Sequence, residues 1–520
     1  MFNRHEGLRT YFAEDEEGPY QAFLAETDWM LPVADIEVDS ASPLPEDVEA
    51  ELKRQVAIEL MTPFQLDGGP LFRAKLFRIS AQEYVFSVVI HHVVTDGWSM
   101  NLLIKDLAAA YIQLSTYGSV FFEPLSVQYA DFAYWQRTRL TAEKQKQLLS
   151  YWTHSLNGVE PLSLPTDYAR PPVQTYNGNT LRFSLPATVV TALKVTAQQT
   201  GASLFASLLS AYAVLLQRYS GQQDFCIGTP VAGREHTELE TTVGFFVNTL
   251  AIRVQPRGEL TFRQLLDAVK LRLMDDFSHQ EVPFEQIVEA LDPARDMSRS
   301  PLFQVMLAYQ NLPVDKQLTA GQSLASDLSL ESYNPGVDSS KYEMTLTLWD
   351  NEDSLGGSLQ FNTDLFAVSG MRKLVKDFQQ LIASLAYHPD LPLCEIDFLS
   401  EAEKQQQLIE WNQTEQPYDA KISLHAAFTD SATQYAANIA VQCGQDVLTY
   451  RQLESLSNRF AHYLIDQGVQ PGERVAICLD RNLHLMTVIM GVLKAGATYV
   501  PLDSSYPQDR VRYILDSAAV

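Results

Sequence analysis

Two neighbouring segments, EYVFSVVI (83–90) and WSMNLLIKDLAAAYIQL (98–114), constrain the fold most, because two backbone periods meet across a handful of residues. The first is a short β-branched and aromatic run, read as a buried central strand. The second sets Met100, Leu103, Leu107 and Tyr111 along one stripe of a helix. A strand delivered straight into a helix is α/β construction, and the alternation continues down the chain with no fixed-period repeat. Strand patterns near 225–232, 246–254 and 474–480 accompany a long helix predicted over roughly 187–219. A proline-rich break, PLSLPTDYARPPVQ (161–174), divides a first lobe of about 1–165 from a second of about 175–398. The polar stretch 399–420 reads as a short helix plus linker, and fresh patterns start in 421–520.

Composition narrows the function. The 520 residues carry 38 Lys+Arg against 64 Asp+Glu, a formal charge of -26. Residues 1–60 alone hold 15 Asp+Glu and 4 Lys+Arg, a net of -11 that reads as a solvated face. Such acidity argues against a nucleic-acid partner, which needs clustered cations. No apolar run approaches the roughly 20 residues that span a bilayer, so no membrane partner is expected. Cys226, Cys394, Cys443 and Cys478 are too scattered for a zinc site, and so few thiols suggest a reducing, cytoplasmic setting. The opening MFNRHEGLRTYF reads as mid-domain sequence and the closing RYILDSAAV stops inside a helical pattern, so a fragment is expected.

The segment His91-His92-Val93-Val94-Thr95-Asp96-Gly97 joins the strand to the helix. If the strand persists to its end, alternation puts His92 on the face of Ile90 and Val88 and His91 on the other. Only one histidine then faces a given cavity. Asp96 is placed to cap the helix or anchor the loop, and Gly97 allows a positive φ at a sharp turn. The helix N-terminus aims N–H groups and a positive dipole end at the same place. A histidine there suits acyl transfer, in which a carbonyl oxygen turns negative under nucleophilic attack. A single histidine is more often a packed core residue. The full His-His-x-x-x-Asp-Gly pattern, however, arises by chance in roughly one chain of this size in a thousand. Adjacent strand histidines diverge and lack a third ligand, so no metal is expected.

This segment resembles the active-site motif of the condensation domains of nonribosomal peptide synthetases, relatives of chloramphenicol acetyltransferase. RHEGLRTYF (4–12), PFQLDGGPLFR (63–73), YADFAYW (129–135), VGFFVNTLAIR (243–253), HQEVPFE (279–285) and RDMSRSPLFQVM (295–306) match in order. The resemblance covers nearly all of 1–398 and lacks the family's first motif, so the opening strand and helix of the first lobe are expected to be missing. WNQTEQPY (411–418), LTYRQLESLSNRFA (448–461) and LKAGATYVPLD (493–503) are similar to the start of an adenylation domain, without that family's Gly-rich ATP loop and catalytic lysine.

The resemblance implies a two-lobed, chloramphenicol-acetyltransferase-like α/β fold in 1–398, a linker over 399–420, and a truncated adenylate-forming domain in 421–520. It implies amide formation between a carrier-bound acyl or peptidyl thioester and the α-amine of a carrier-bound aminoacyl group. Upstream and downstream carrier domains would present these on 4′-phosphopantetheine, and the chain itself would bind no cofactor. ATP and Mg²⁺ would serve only a complete adenylation domain. His92 would orient and deprotonate the amine inside a tunnel between the lobes. Gly97 would offer a backbone N–H, Asn248 would lie near the cleft, and Arg9, with Arg4 as fallback, would pair with Asp96. His91 would face away and support the strand. An epimerising relative and an idle, carrier-docking fragment are the alternatives. Paired aspartates in place of the histidine motif would mark a heterocyclising relative, and they are absent. Leu355-Gly356-Gly357-Ser358 imitates a pantetheine-bearing site but is one residue short, and His279 reads as a structural loop residue.

Overall fold

The computed structural model describes all residues except 17, 27–28, 38–44, 294–295, 311–321, 326–327, 332, 337, 352–353 and 419. Arg295, which opens the RDMSRSPLFQVM segment, and Glu17, Asp28 and Asp39 of the acidic stretch therefore lie outside the described residues. The chain divides into two compact units, Met1–Gln405 and Gln406–Val520, and the division falls inside the polar stretch 399–420.

In the first unit, the hairpin β1 (Thr10–Asp15) and β2 (Gly18–Phe23) is followed by β3 (Val33–Asp35), α1 (Pro45–Met61), β4 (Phe72–Arg78) and β5 (Tyr84–Ile90). The last three strands form a sheet in the order β3-β4-β5, with β3 parallel and β5 antiparallel to β4. Leu52 and Val56 of α1 pack on Phe77 of β4. β5 is thus an edge strand among the described residues, and Ser87 is its one fully buried position. The expectation of a buried central strand is corrected here: both faces are apolar, yet only one neighbour pairs with it. The following helix, α2 (Gly97–Tyr117), is longer than its predicted stripe. Leu103 is buried, whereas Leu107 and Tyr111 are exposed.

After α3 (Tyr129–Arg139) and α4 (Ala142–Leu156), a second and larger sheet forms. It is built from β6 (Gly178–Leu185), β7 (Phe225–Val231), β8 (Asn248–Val254), β9 (Val305–Gln310), and, past the small hairpin β10 (Gln322–Ala325) and β11 (Leu328–Leu330), β12 (Met344–Asn351) and β13 (Ser354–Asn362). The order is β6-β13-β12-β9-β7-β8, parallel at β12/β9 and β9/β7 and antiparallel elsewhere. Helices α5 (Ala187–Thr200), α6 (Leu204–Ser220), α7 (Phe262–Ser278), α8 (Phe284–Leu291) and α9 (Val368–Tyr387) complete this core, and α10 (Glu401–Gln405) ends the unit. The single long helix expected over 187–219 is two helices bent by 108°. Gly201 takes φ +63° at the break and Ser203 Oγ accepts the Ala206 N–H to start α6, so the chain is stopped and recapped within a few residues. Residues 206–216 of α6 are all buried, as befits the central helix of the core. The helix is therefore apolar for reasons of packing, and among the described residues no single helix is long and apolar enough to cross a membrane.

The glycine pair 356–357 lies in β13, where an added Cβ would strike Trp349 and Phe183 respectively. These glycines exist to admit aromatic rings against the sheet. His279 stacks on Tyr151 at 3.8 Å and its Nδ1 lies 2.7 Å from the Asp275 carbonyl, a structural setting. The second unit comprises α11 (Leu424–Gln434), β14 (Ile439–Cys443), β15 (Asp446–Thr449), α12 (Tyr450–Asp466), β16 (Arg474–Cys478), α13 (Leu485–Lys494), β17 (Thr498–Leu502) and α14 (Gln508–Ala518). Its core gathers Ala461, Leu464, Ile477 and Val492 around the parallel pair β16/β17.

Candidate active site

The His91–Gly97 loop does not continue the strand. The last sheet-like bond is His91 N–H to the Leu71 carbonyl, and His92–Val94 then winds into a 3₁₀ turn closed by Val94 N–H and Thr95 N–H. Strand alternation therefore stops at Ile90, and the turn decides where the two rings point. His91 caps that turn: its Nδ1 accepts the Val93 N–H at 3.1 Å, and its half-buried ring lies edge-on to Phe64. His92 is exposed, with its ring T-shaped against Phe245 at 5.2 Å between centroids.

Asp96 both caps α2 and anchors the loop. It is 3% exposed; Oδ1 accepts the Ser99 N–H at 2.8 Å and Oδ2 accepts the Phe246 N–H at 3.0 Å. Its ionic partner is Arg234, whose Nη2 lies 3.2 Å from Oδ1 and 3.4 Å from Oδ2. This corrects the expected Arg9 pairing. The Arg9 side chain donates from Nη1 to the Leu24 carbonyl, and Arg4 pairs with Asp106 at 2.9 Å.

Arg234 is the hub of the region. It donates to Ser99 Oγ at 2.8 Å and to the carbonyls of Leu239 and Thr242, and its guanidinium sits 4.0 Å from the Phe246 ring centroid. Burial pulls its pKa below the ordinary value, and the Asp96 carboxylate opposes that shift. Ser99 Oγ in turn donates to the Gly244 carbonyl and accepts the Gly244 N–H, at 2.9 and 3.1 Å. Tyr129 of YADFAYW donates its hydroxyl to the Phe245 carbonyl, and burial, with Asp96 nearby, pushes that phenol up to about 12. The N-terminus of α2 is thus bolted to residues 234–246, which lead into β8.

Gly97 opens α2 outside the left-handed region, so the expected positive φ is corrected. Beyond its chain neighbours and the backbone of its own helix, a Cβ at this position would meet no atom of the described residues within 4 Å. Neither backbone strain nor crowding by the chain explains the glycine. Asn248 is fully engaged: Nδ2 donates to the carbonyls of Gln280 and Val282, and Oδ1 accepts the Phe284 and Thr249 N–H groups. It ties the HQEVPFE loop to β8.

Sequence reasoning missed Arg234, Ser99, Tyr129 and Phe245 as parts of this site. Arg234 follows β7 but stands 138 residues from Asp96, and no local spacing connects the two. The other three lie in motifs already singled out, though periodicity could not say which side chains converge.

The condensation domain family model matches residues 1–408, and the AMP-binding enzyme family model matches residues 428–520. A component protein of the linear gramicidin synthase of Brevibacillus parabrevis is 38% identical across 100% of this chain, which covers 10% of that protein. Tyrocidine synthase 3 of the same organism is 36% identical across 99% of this chain and 8% of its own length. A solved four-domain nonribosomal peptide synthetase bound to AMP and glycine superposes with a TM-score of 0.82 at 28% identity, covering 100% of this chain and 39% of that one. The chain therefore spans about a tenth, or less, of these two curated relatives. On its fold, its histidine loop and these matches, the chain belongs to the condensation-domain family of nonribosomal peptide synthetases, peptide-bond-forming acyltransferases, and continues into the beginning of an AMP-binding domain.

Proposed function

We propose that residues 1–405 join a carrier-bound acyl or peptidyl thioester to the α-amine of a carrier-bound aminoacyl group, with His92 as the group that meets the amine. The observation that carries this reading is an exposed histidine ring on the same loop as an open glycine, the loop being made rigid by Asp96 and Arg234. The amine nitrogen attacks the thioester carbon, the C–N bond forms and the C–S bond breaks. His92 accepts the proton that the amine loses and returns one to the departing pantetheine sulfur, so charge balances.

A free α-amine has a pKa of about 7.7–8.0, so a useful fraction is already neutral near pH 7. Orientation then matters alongside general-base help, which typically gives 10²–10⁴-fold. The N–H groups of Gly97 and Trp98 are not used by Asp96, which takes the Ser99 N–H. Pointing from the positive end of α2, they suit the carbonyl oxygen as it turns negative. Asp96 and Arg234 hold the loop and touch no reacting atom; Asn248 and Arg9 support the fold in the same sense.

Upstream and downstream carriers bearing 4′-phosphopantetheine supply both substrates in this reading, and ATP with Mg²⁺ serves only a complete adenylation domain. A cytoplasmic location belongs to the same proposal, and four unpaired cysteines support it. The test is His92→Ala with loaded carriers, followed by intact-mass detection of the dipeptidyl carrier. Loss of product with the melting temperature kept is the expected result, and normal product from the variant would overturn the assignment.

A further inference from the structure

We propose that Phe245 is the positioning residue for His92, setting the plane of the imidazole by ring packing where no hydrogen bond does so. This rests on the amide-forming role given to His92 above. Among the described residues, neither ring nitrogen of His92 makes a hydrogen bond, and its defined contact is the T-shaped approach of Phe245. A histidine in a proton-transfer site is more commonly held by a bond from one nitrogen, which also chooses the tautomer.

Phe245 is unusually well placed to substitute for that tether. Its backbone is pinned on both sides and at its own carbonyl: Gly244 to Ser99 Oγ, Phe246 N–H to Asp96 Oδ2, and the Phe245 carbonyl to the Tyr129 hydroxyl. The flanking residues are buried, and Phe246 turns its ring to Tyr129, Phe132 and Arg234. Phe245 alone in this stretch is exposed, at 38%, and its ring goes to His92 and not to the core.

The arrangement has a chemical consequence. A neutral imidazole carries one donor and one acceptor nitrogen, and with neither tied to a protein group among the described residues both tautomers stay available. Packing against a ring restricts the imidazole plane without selecting a tautomer. His92 can then accept a proton from the amine and release one toward sulfur without breaking a standing hydrogen bond.

The test uses the full chain labelled with ¹³C,¹⁵N-histidine. His92 signals are identified among the ten histidines by their loss in His92→Gln. In the unsubstituted protein, nuclear Overhauser contacts are expected between the His92 ring protons and the Phe245 ring. Phe245→Ala should shift the His92 ring-proton resonances and lower kcat about tenfold, with KM changed by less than about threefold. Phe245→Tyr, which keeps the ring, should restore both, and Phe245→Leu should recover KM but not kcat. Unmoved His92 resonances in Phe245→Ala, or absent contacts in the unsubstituted protein, overturn the proposal; the second measurement stands even if the alanine variant does not fold. Full activity in His92→Gln would instead remove the amide-forming role while leaving the ring contact intact.

Discussion

Asp96 and Arg234 meet at 3.2 Å with side-chain exposures of 3% and 1%, a buried ion pair that joins the N-terminus of α2 to the segment following β7. Because each charge is desolvated, removing one strands the other, at a typical cost of about 3–5 kcal/mol. That is a large share of a domain's roughly 5–15 kcal/mol. Asp96→Ala should lower the melting temperature and the activity together, and Arg234→Ala should do the same. The double variant should lose less than the two single losses added, since no unpaired charge remains. Denaturant melts of the four proteins decide it; a fully stable but inactive Asp96→Ala would make the carboxylate part of the chemistry.

Gly97 offers the opposite test. Apart from its chain neighbours and the backbone of its own helix, no atom of the described residues lies within 4 Å of its missing Cβ, and its backbone is outside the left-handed region. Gly97→Ala should leave the melting temperature unchanged or raise stability by about 0.5–1 kcal/mol, from helix propensity and a less flexible unfolded chain. Amide formation should nevertheless fall, more steeply in Gly97→Val, because that open space belongs to substrate in the proposed reaction. Full activity in the valine variant would show that the space is not used.

His91 and His92 should separate cleanly. His91→Ala removes an acceptor for the Val93 N–H and a contact with Phe64, a loss of about 1 kcal/mol in stability. Its kcat should stay within a few-fold of the parent, measured by the same carrier assay that reports His92→Ala.

Asn248 should behave as a tie between β8 and the 280–284 loop. Asn248→Asp sets a carboxylate against the carbonyls of Gln280 and Val282, so it should be more damaging than Asn248→Ala. Either variant should lose about 1–3 kcal/mol. Faster amide exchange confined to this loop is the expected signature in hydrogen-exchange mass spectrometry, and unchanged exchange there would refute the role.

Asp276 of α7 carries a pH dependence unconnected with catalysis. Burial pushes its carboxyl up to about 6 against the opposing Tyr151 hydrogen bond and the Arg272 charge, and Oδ2 accepts no hydrogen bond among the described residues. A carboxyl whose folded pKa lies above its unfolded value holds its proton longer in the folded state. The unfolded chain ionises first, so stability falls as pH rises from about 4 through 6 and stays lower above it. At about 1.4 kcal/mol per pKa unit the total is about 3 kcal/mol. Asp276→Asn can still accept the Tyr151 hydroxyl, so it should raise the melting temperature more at pH 7.5 than at pH 5. Equal shifts at the two pH values would count against this origin.

Local physics determined much of this protein in advance. The change from a β-branched, aromatic run to a 3.6-residue period around 83–114 marks β5 and α2, and an aspartate ahead of an apolar helical stripe is a favoured cap. The same holds for the apolar runs that became β7, β8 and β16. Neighbour identity is different in kind. That β5 would pair with one strand only among the described residues, and that Asp96 would find Arg234 in place of Arg9, both depend on groups far apart in the chain. Charge pairing is chosen by which side chains the packed elements bring within a few ångströms, and many arginines were equally eligible by spacing. The turn at His92–Val94 shows the limit at the site itself: strand alternation predicts a face only while the ladder continues, and here it ends one residue before His91. What the tertiary structure alone decided was the wall that His92 meets, because Phe245 reaches it only after Ser99, Asp96 and Tyr129 have fixed the backbone on either side.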